Sequence, residues 1–241
     1  MIINHKYKFI FIKTRKTAGS SIEIALSKFC SHGDVITPIK GDNDDHIRQE
    51  LGFIGPQNYY TSRCFYTKRD WLGFLFKGQQ KEFFQHATAE FVRDNIEPEI
   101  WNTYFKFCFE RDPFDKAISR YYWSTRNAQH KPEMTDYLNS ARVKFLSNWK
   151  TYTINDHLAV DFVGRYETLA DDLAMIGKTL GLPGELSLPQ AKTGYRSNRK
   201  HYSQVLDSQA RTRIELACAK EMQAFDYSWC ESQPKQLALK V

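Results

Sequence analysis

The spacing of apolar residues changes character several times along the chain. Tyr7–Lys13 (YKFIFIK) is apolar without a helical period, the pattern of a strand buried on both faces. From Ser20 to Phe29 the residues Ile22, Ala25, Leu26 and Phe29 fall on one helical face, which predicts a helix directly after that strand. Asp34–Ile39 reads as a second strand. Residues 40–80 lose any period and are rich in Gly, Asn, Tyr and Trp, so they are expected to be irregular and to form a flap over a site. Helical spacing returns over Thr88–Ile96, with His86 just ahead of it. Tyr104–Glu110 (YFKFCFE) reads as a strand, and Asp112-Pro113 supplies an N-cap and a first-turn proline for a helix running to about Ser124. Val160–Tyr166 reads as a third strand. Thr168, with Asp171 three residues on, caps a helix that Gly181 and Pro183 end. Residues 185–205 are irregular and basic, and Asp207–Ala224 reads as one amphipathic helix. This alternation predicts a three-layer α/β fold with a central, mostly parallel sheet flanked by helices. The expected organisation is a single domain over 1–241, with the flap inserted at about 40–80.

Composition narrows the function classes only modestly. The 241 residues carry 34 Lys and Arg against 28 Asp and Glu, and the net charge of +6 favours anionic ligands. The basic residues are scattered, so a nucleic-acid partner is not indicated. Aromatic residues make up 15% of the chain, enough for stacking surfaces as well as a core. Five Cys residues show neither C-x-x-C nor a zinc spacing, and are read as reduced, mostly buried thiols. No signal-type segment or run of membrane-spanning length is present, so a cytoplasmic protein is expected.

The candidate chemistry starts at the loop KTRKTAGSS, Lys13–Ser21, between the first strand and the first helix. Ligands of open α/β sheets bind at the carboxyl ends of strands, where helix N-termini offer unpaired N–H groups to an oxyanion. A strand, such a loop and a helix make the expected fold P-loop-like, yet G-x-x-x-x-G-K-[ST] is absent because the lysine precedes the single glycine. Gly19 lets the backbone approach a ligand, Thr17, Ser20 and Ser21 add hydroxyls, and Lys16 is the cation within the turn. The bland alternative is a surface loop with ordinary helix capping. A second candidate is FERDPFDKAISRYYW, in which Arg111 stands at a strand tip and Ser119 about two turns into the next helix. Taken alone, Arg111 can equally pair with Asp112 or Asp115.

Together, K-T-A-G-S-S after the first strand and R-D-P-F-D-K-A-I-S-R-Y-Y midway resemble the sulfotransferases that use 3′-phosphoadenosine 5′-phosphosulfate (PAPS). The similarity is to the branch holding carbohydrate 2-O-sulfotransferases and bacterial relatives, and extends to VDFVGRYETLADDL and to the late FDYSW. It implies that Lys16, Thr17, Ala18, Gly19, Ser20 and Ser21 bind the 5′-phosphosulfate, and that Arg111 and Ser119 bind the 3′-phosphate. Arg15 stands where that family usually has Pro, which adds a cation to the loop. The family's basic C-terminal loop closes over the nucleotide; in KTGYRSNRKHY, with Lys192, Arg196 and Lys200 as further cations, Arg199 and Tyr202 are the residues favoured for that contact. PAPS is the implied donor co-substrate, with no metal.

For the reaction, Lys16 suits the bridging oxygen on which charge builds, and His86 matches the position of the branch's catalytic His, a general base. Helix capping or simple exposure is the alternative for His86. Arg165 is a candidate acceptor contact or half of an ion pair with Glu167. Tyr59, Tyr60, Phe65, Tyr66, Trp71 and Phe74 could stack on sugar rings or form the flap's own small core. The expected acceptor is a hydroxyl of a glycan or glycolipid. An ATP-dependent kinase and a non-catalytic nucleotide- or glycan-binding module are the alternatives.

Overall fold

The computed structural model describes residues 1–39, 44–189, 198 and 200–231. In chain order the elements are β1 (Ile2–Asn4), β2 (Phe9–Phe11), α1 (Gly19–Ser27), β3 (Val35–Ile36), α2 (Asp44–Glu50), α3 (Lys68–Lys77), α4 (Ala89–Arg93), α5 (Pro98–Thr103) and β4 (Phe105–Glu110). They continue with α6 (Pro113–Ser124), α7 (Met134–Asn139), α8 (Trp149–Tyr152), β5 (Thr153–Ile154), β6 (His157–Leu158), β7 (Phe162–Arg165), α9 (Leu169–Thr179), α10 (Ser208–Ala217) and α11 (Ala219–Phe225). Short 3₁₀ turns lie at Arg63–Phe65, Ala141–Phe145, Tyr166–Thr168 and Tyr202–Gln204. The chain divides into two compact units, 1–111 with 148–193 and 112–147 with 194–241.

The first unit holds a five-stranded sheet of order β3-β1-β2-β4-β7. It is mixed, which corrects the expectation of a mostly parallel sheet: β1 runs antiparallel to both β2 and β3, and only β2-β4 and β4-β7 are parallel. The hairpin is built by Asn4, whose side-chain oxygen accepts the Tyr7 N–H at 2.7 Å while its amide nitrogen donates to Phe29 O and Asp34. Three-residue strands buried on both faces show no alternation, which is why β1 escapes a reading of periodicity.

Phenylalanines fill the centre of the sheet. Phe107 lies 5.8 Å and 5.4 Å, centroid to centroid, from Phe9 and Phe11 on the neighbouring strand, and Ile22, Leu26, Leu173 and Ile176 belong to the same cluster. Each fully buried ring of this kind contributes roughly 1.5–3 kcal/mol. All nine residues of α1 are buried, including Glu23. On β7, opposite Phe109, only glycine fits: a Cβ on Gly164 would lie 2.4 Å from Phe109 Cε1. Gly164→Ala is therefore expected to destabilise the protein by about 1–3 kcal/mol, read as a lower denaturation midpoint. An unchanged midpoint would contradict this packing.

Three local expectations are also corrected. Residues 40–80 are not irregular throughout, since α2 and α3 lie there. Thr67 and Asp70 close a capping box on α3, and Gly78 (φ 63°) ends it. Thr168 makes no side-chain cap on α9; its hydroxyl donates to Asp172 at 3.0 Å. The final helix is two helices, broken at Cys218 (φ −118°, ψ 22°).

The second unit packs α6, α7 and α10 around Phe114, Ile118, Tyr137, Leu206 and Ile214. Asp112 caps α6 as expected, accepting the N–H groups of Phe114 and Asp115 at 2.8 and 3.1 Å.

Candidate active site

Between β2 and α1 the chain turns through Thr14–Ala18. Lys16 (φ 64°) and Ala18 (φ 61°) are left-handed, whereas Thr17 between them is not. Alternating signs of φ tip successive N–H groups toward one side and form a concavity for an anion. Two non-glycine residues held this way cost about 1–3 kcal/mol each, and such strain persists only where the surroundings enforce it. Ala18 is also the N-cap of α1, with no side-chain hydrogen bond to the first turn. The N-terminal amides of a nine-residue helix are thus not closed by their cap, the arrangement that suits an oxyanion. Gly19 is required by a close approach: a Cβ there would sit 2.8 Å from Lys13 Cγ.

The loop is gripped from several sides. Asn148, 1% exposed, clasps Arg15 through both backbone groups: its Oδ1 accepts the Arg15 N–H at 3.0 Å and its Nδ2 donates to Arg15 O at 3.1 Å. Asn148 is itself held by the fully buried Glu110, which also accepts from Tyr152 OH at 3.1 Å and from the Arg111 N–H at 2.9 Å. Below the turn, Thr14 Oγ1 donates to Phe109 O at 2.5 Å and pairs with Thr17 Oγ1 at 2.9 Å. The Thr17 side chain therefore faces inward and is 1% exposed, while Ser20 and Ser21 are 8% and 7% exposed on the first turn of α1.

Two predicted residues meet the loop directly. Arg111, just past the end of β4, donates from Nη1 to Lys16 O at 3.4 Å, and its guanidinium stacks 3.9 Å from the ring centroid of Tyr166. The stack fixes the plane of a fork suited to phosphate. His86 Nδ1 lies 2.9 Å from Lys13 O. A carbonyl only accepts, so Nδ1 carries the hydrogen and Nε2 presents a lone pair. Burial pushes the His86 pKa down to about 3; the bond to Lys13 O opposes the shift, and the charges of Lys13 and Arg15 reinforce it. The imidazole is neutral at physiological pH.

The family model for sulfotransferases matches residues 1–228. The chain belongs to the sulfotransferase family. This sulfotransferase is also 33% identical, over 104 residues, to an uncharacterized protein of Archaeoglobus fulgidus, covering 42% of the present chain and 87% of that relative. No solved structure matches it significantly.

The remaining predicted positions of the sulfotransferase are more dispersed. Arg165 ends β7, opposite Glu110 in the parallel register, and is exposed; its N–H donates to Asp172 at 2.6 Å. In the second unit Ser119 is half-buried on α6. Tyr202 is 6% exposed and packs between Phe114 and Trp229, each 5.1 Å away, and its hydroxyl accepts the Cys230 N–H. Arg199, Lys192 and Arg196 lie outside the described residues. Tyr66, Trp71 and Phe74 form a cluster of edge-on rings 5.5–6.3 Å apart, a small core of the segment's own. Among the described residues no group of three or more His, Cys, Asp or Glu could hold a metal ion.

Sequence reasoning missed Asn148, Glu110, Tyr152 and Tyr166. Tyr166 stands inside VDFVGRYETLADDL, but its stacking on Arg111 has no local signature. Asn148 reaches the loop across a separation of 133 residues in an unremarkable SNWK context.

Proposed function

We propose that this sulfotransferase moves the sulfuryl group of PAPS to a hydroxyl of a carbohydrate, on a glycan or glycolipid, by in-line displacement. The observation that carries the reading is the Thr14–Ala18 turn, whose left-handed Lys16 and Ala18 suit an anion and which is held by Asn148 at Arg15 and by Arg111 at Lys16. The motif resemblance to the 2-O-sulfotransferases supports the carbohydrate acceptor.

In this scheme the loop amides, Ser20 and Ser21 bind the 5′-phosphosulfate, and Arg111 binds the 3′-phosphate. The acceptor oxygen forms a bond to sulfur as the bond between sulfur and the bridging oxygen breaks. The acceptor proton passes to His86 Nε2, and the electron pair of the broken bond stays on the 5′-phosphate of adenosine 3′,5′-bisphosphate. Lys16 stabilises that departing charge. Burial holds the His86 pKa down and the charges of Lys13 and Arg15 add to it; a polyanionic donor offsets those charges and so makes His86 a better base when bound. The acid limb of kcat, which reports the bound complex, is therefore expected at higher pH than that of kcat/KM. Coincident limbs, or limbs unchanged in His86→Ala, would remove His86 from the base role.

Calorimetry tests the donor. Adenosine 3′,5′-bisphosphate is expected to bind without added metal and more tightly than ATP, with at least a tenfold loss in Arg111→Ala. Tighter binding of ATP that requires Mg²⁺ would replace this reading with a kinase.

A further inference from the structure

Four of the eleven exposed large apolar side chains among the described residues fall within one helix: Trp71, Leu72, Leu75 and Phe76 on α3, 39%, 57%, 69% and 80% exposed. Single exposed apolar residues are ordinary, but a contiguous set marks an interaction surface. At about 100° per residue the four fall within an arc of about 140°, so they form one face. The helix is complete without a partner, since Thr67 and Asp70 close its N-terminus and Gly78 its C-terminus, while no residue of it is buried.

Charge identifies what that face meets. Arg63–Lys81 contains five basic residues and one acidic, and the acidic one, Asp70, takes Lys81 at 2.9 Å. By the same spacing Lys68 and Arg69, both exposed at the N-terminal end of the helix, border the apolar arc, whereas Lys77 lies on the far side and Arg63 sits over Phe74. A second copy packed in parallel on this face would bring Lys68 and Arg69 against their own counterparts. An apolar arc of Trp, Leu and Phe rimmed by Lys and Arg is instead complementary to an anionic lipid surface, with rings and leucines at the acyl boundary and cations at the headgroups.

We propose that α3 is a membrane-surface docking helix, lying in the plane of an anionic bilayer. No step of the sulfuryl-transfer reading enters this proposal, and its test reads binding alone, so the two can fail separately.

The test is co-sedimentation of the full chain with phosphatidylcholine vesicles, with and without about 30 mol % phosphatidylserine. Binding to the anionic vesicles is expected, at least tenfold weaker on phosphatidylcholine alone and weakened by salt. Leu75→Ser with Phe76→Ser should lose at least tenfold, and Lys68→Glu with Arg69→Glu at least roughly twentyfold, since each cation near an anionic surface contributes about fivefold. Both double variants should keep the wild-type thermal midpoint, because the replaced side chains are exposed. No binding to anionic vesicles overturns the proposal, as does equal binding by the Leu75→Ser/Phe76→Ser variant. A wild-type dimer that this variant turns into a monomer also overturns it, by assigning the face to a second copy.

Discussion

Glu23→Gln is expected to lower the unfolding free energy by about 3–5 kcal/mol and the thermal midpoint by roughly 10 °C. Glu23 is fully buried on α1, with Oε2 2.7 Å from Lys13 Nζ and Oε1 2.9 Å from the Met1 amino nitrogen. Arg48 Nη2 lies 3.6 Å away, and Thr37 donates its hydroxyl at 3.1 Å. Lys13 is itself buried, 2% exposed, so an amide at position 23 removes the carboxylate that faces its ammonium inside the protein, whereas Arg48, 0% exposed, keeps Asp45 at 3.1 Å. Burial alone would raise the carboxyl's pKa, but Lys13, the Met1 amino group and Arg48 outweigh it and hold it down, from 4.5 to about 2. Its contribution to stability is therefore whole above about pH 4.5 and is lost as the pH falls toward about 2. Wild-type stability should decline through that window, and Glu23→Gln should remove this part of the decline. A loss below about 1 kcal/mol, the range of an exposed pair, would contradict the burial described. The cluster also bears on the site, because Lys13 carries both the start of the loop and the carbonyl that orients His86.

The second large effect is kinetic. Lys16→Ala is expected to reduce kcat by about 10²–10³-fold, the usual cost of removing one group that stabilises charge appearing only in the transition state. KM for PAPS should move far less, because the proposed scheme leaves ground-state binding to the loop amides and Arg111. The fold should persist: Lys16 is half-buried, and its bond to Arg111 is made by the backbone oxygen. A glycine at position 16, which accepts φ 64° without strain, separates the two roles of the residue. Lys16→Gly should keep the stability and still lose the rate. A variant that loses donor affinity and rate equally would make Lys16 a binding residue only.

What could be read beforehand follows from how local each feature is. The turn KTRKTAGSS, the Asp112 cap and the Phe105–Glu110 strand are set by neighbours in sequence, and the structure has them where the pattern places them. The mixed sheet was hidden because β1 and β3 are three and two residues long, too short to reveal direction. Helix α3 carried its capping signal at Thr67 and Asp70, but its apolar residues Trp71, Leu72, Phe74, Leu75 and Phe76 spread over more than half of its circumference, so they do not read as one core face. The loop's supports were illegible for another reason. Asn148, Glu110 and Tyr166 act through contacts across the fold, and their own surroundings in sequence resemble any strand end or short turn.

The most direct test is transfer of a labelled sulfuryl group from PAPS to a hydroxyl-bearing carbohydrate by the purified chain. The account predicts label on the acceptor and one adenosine 3′,5′-bisphosphate per sulfuryl group, with transfer abolished or reduced by orders of magnitude in Lys16→Ala and His86→Ala. Unchanged transfer in both variants, or no transfer to any hydroxyl acceptor while the bisphosphate binds normally, would contradict it.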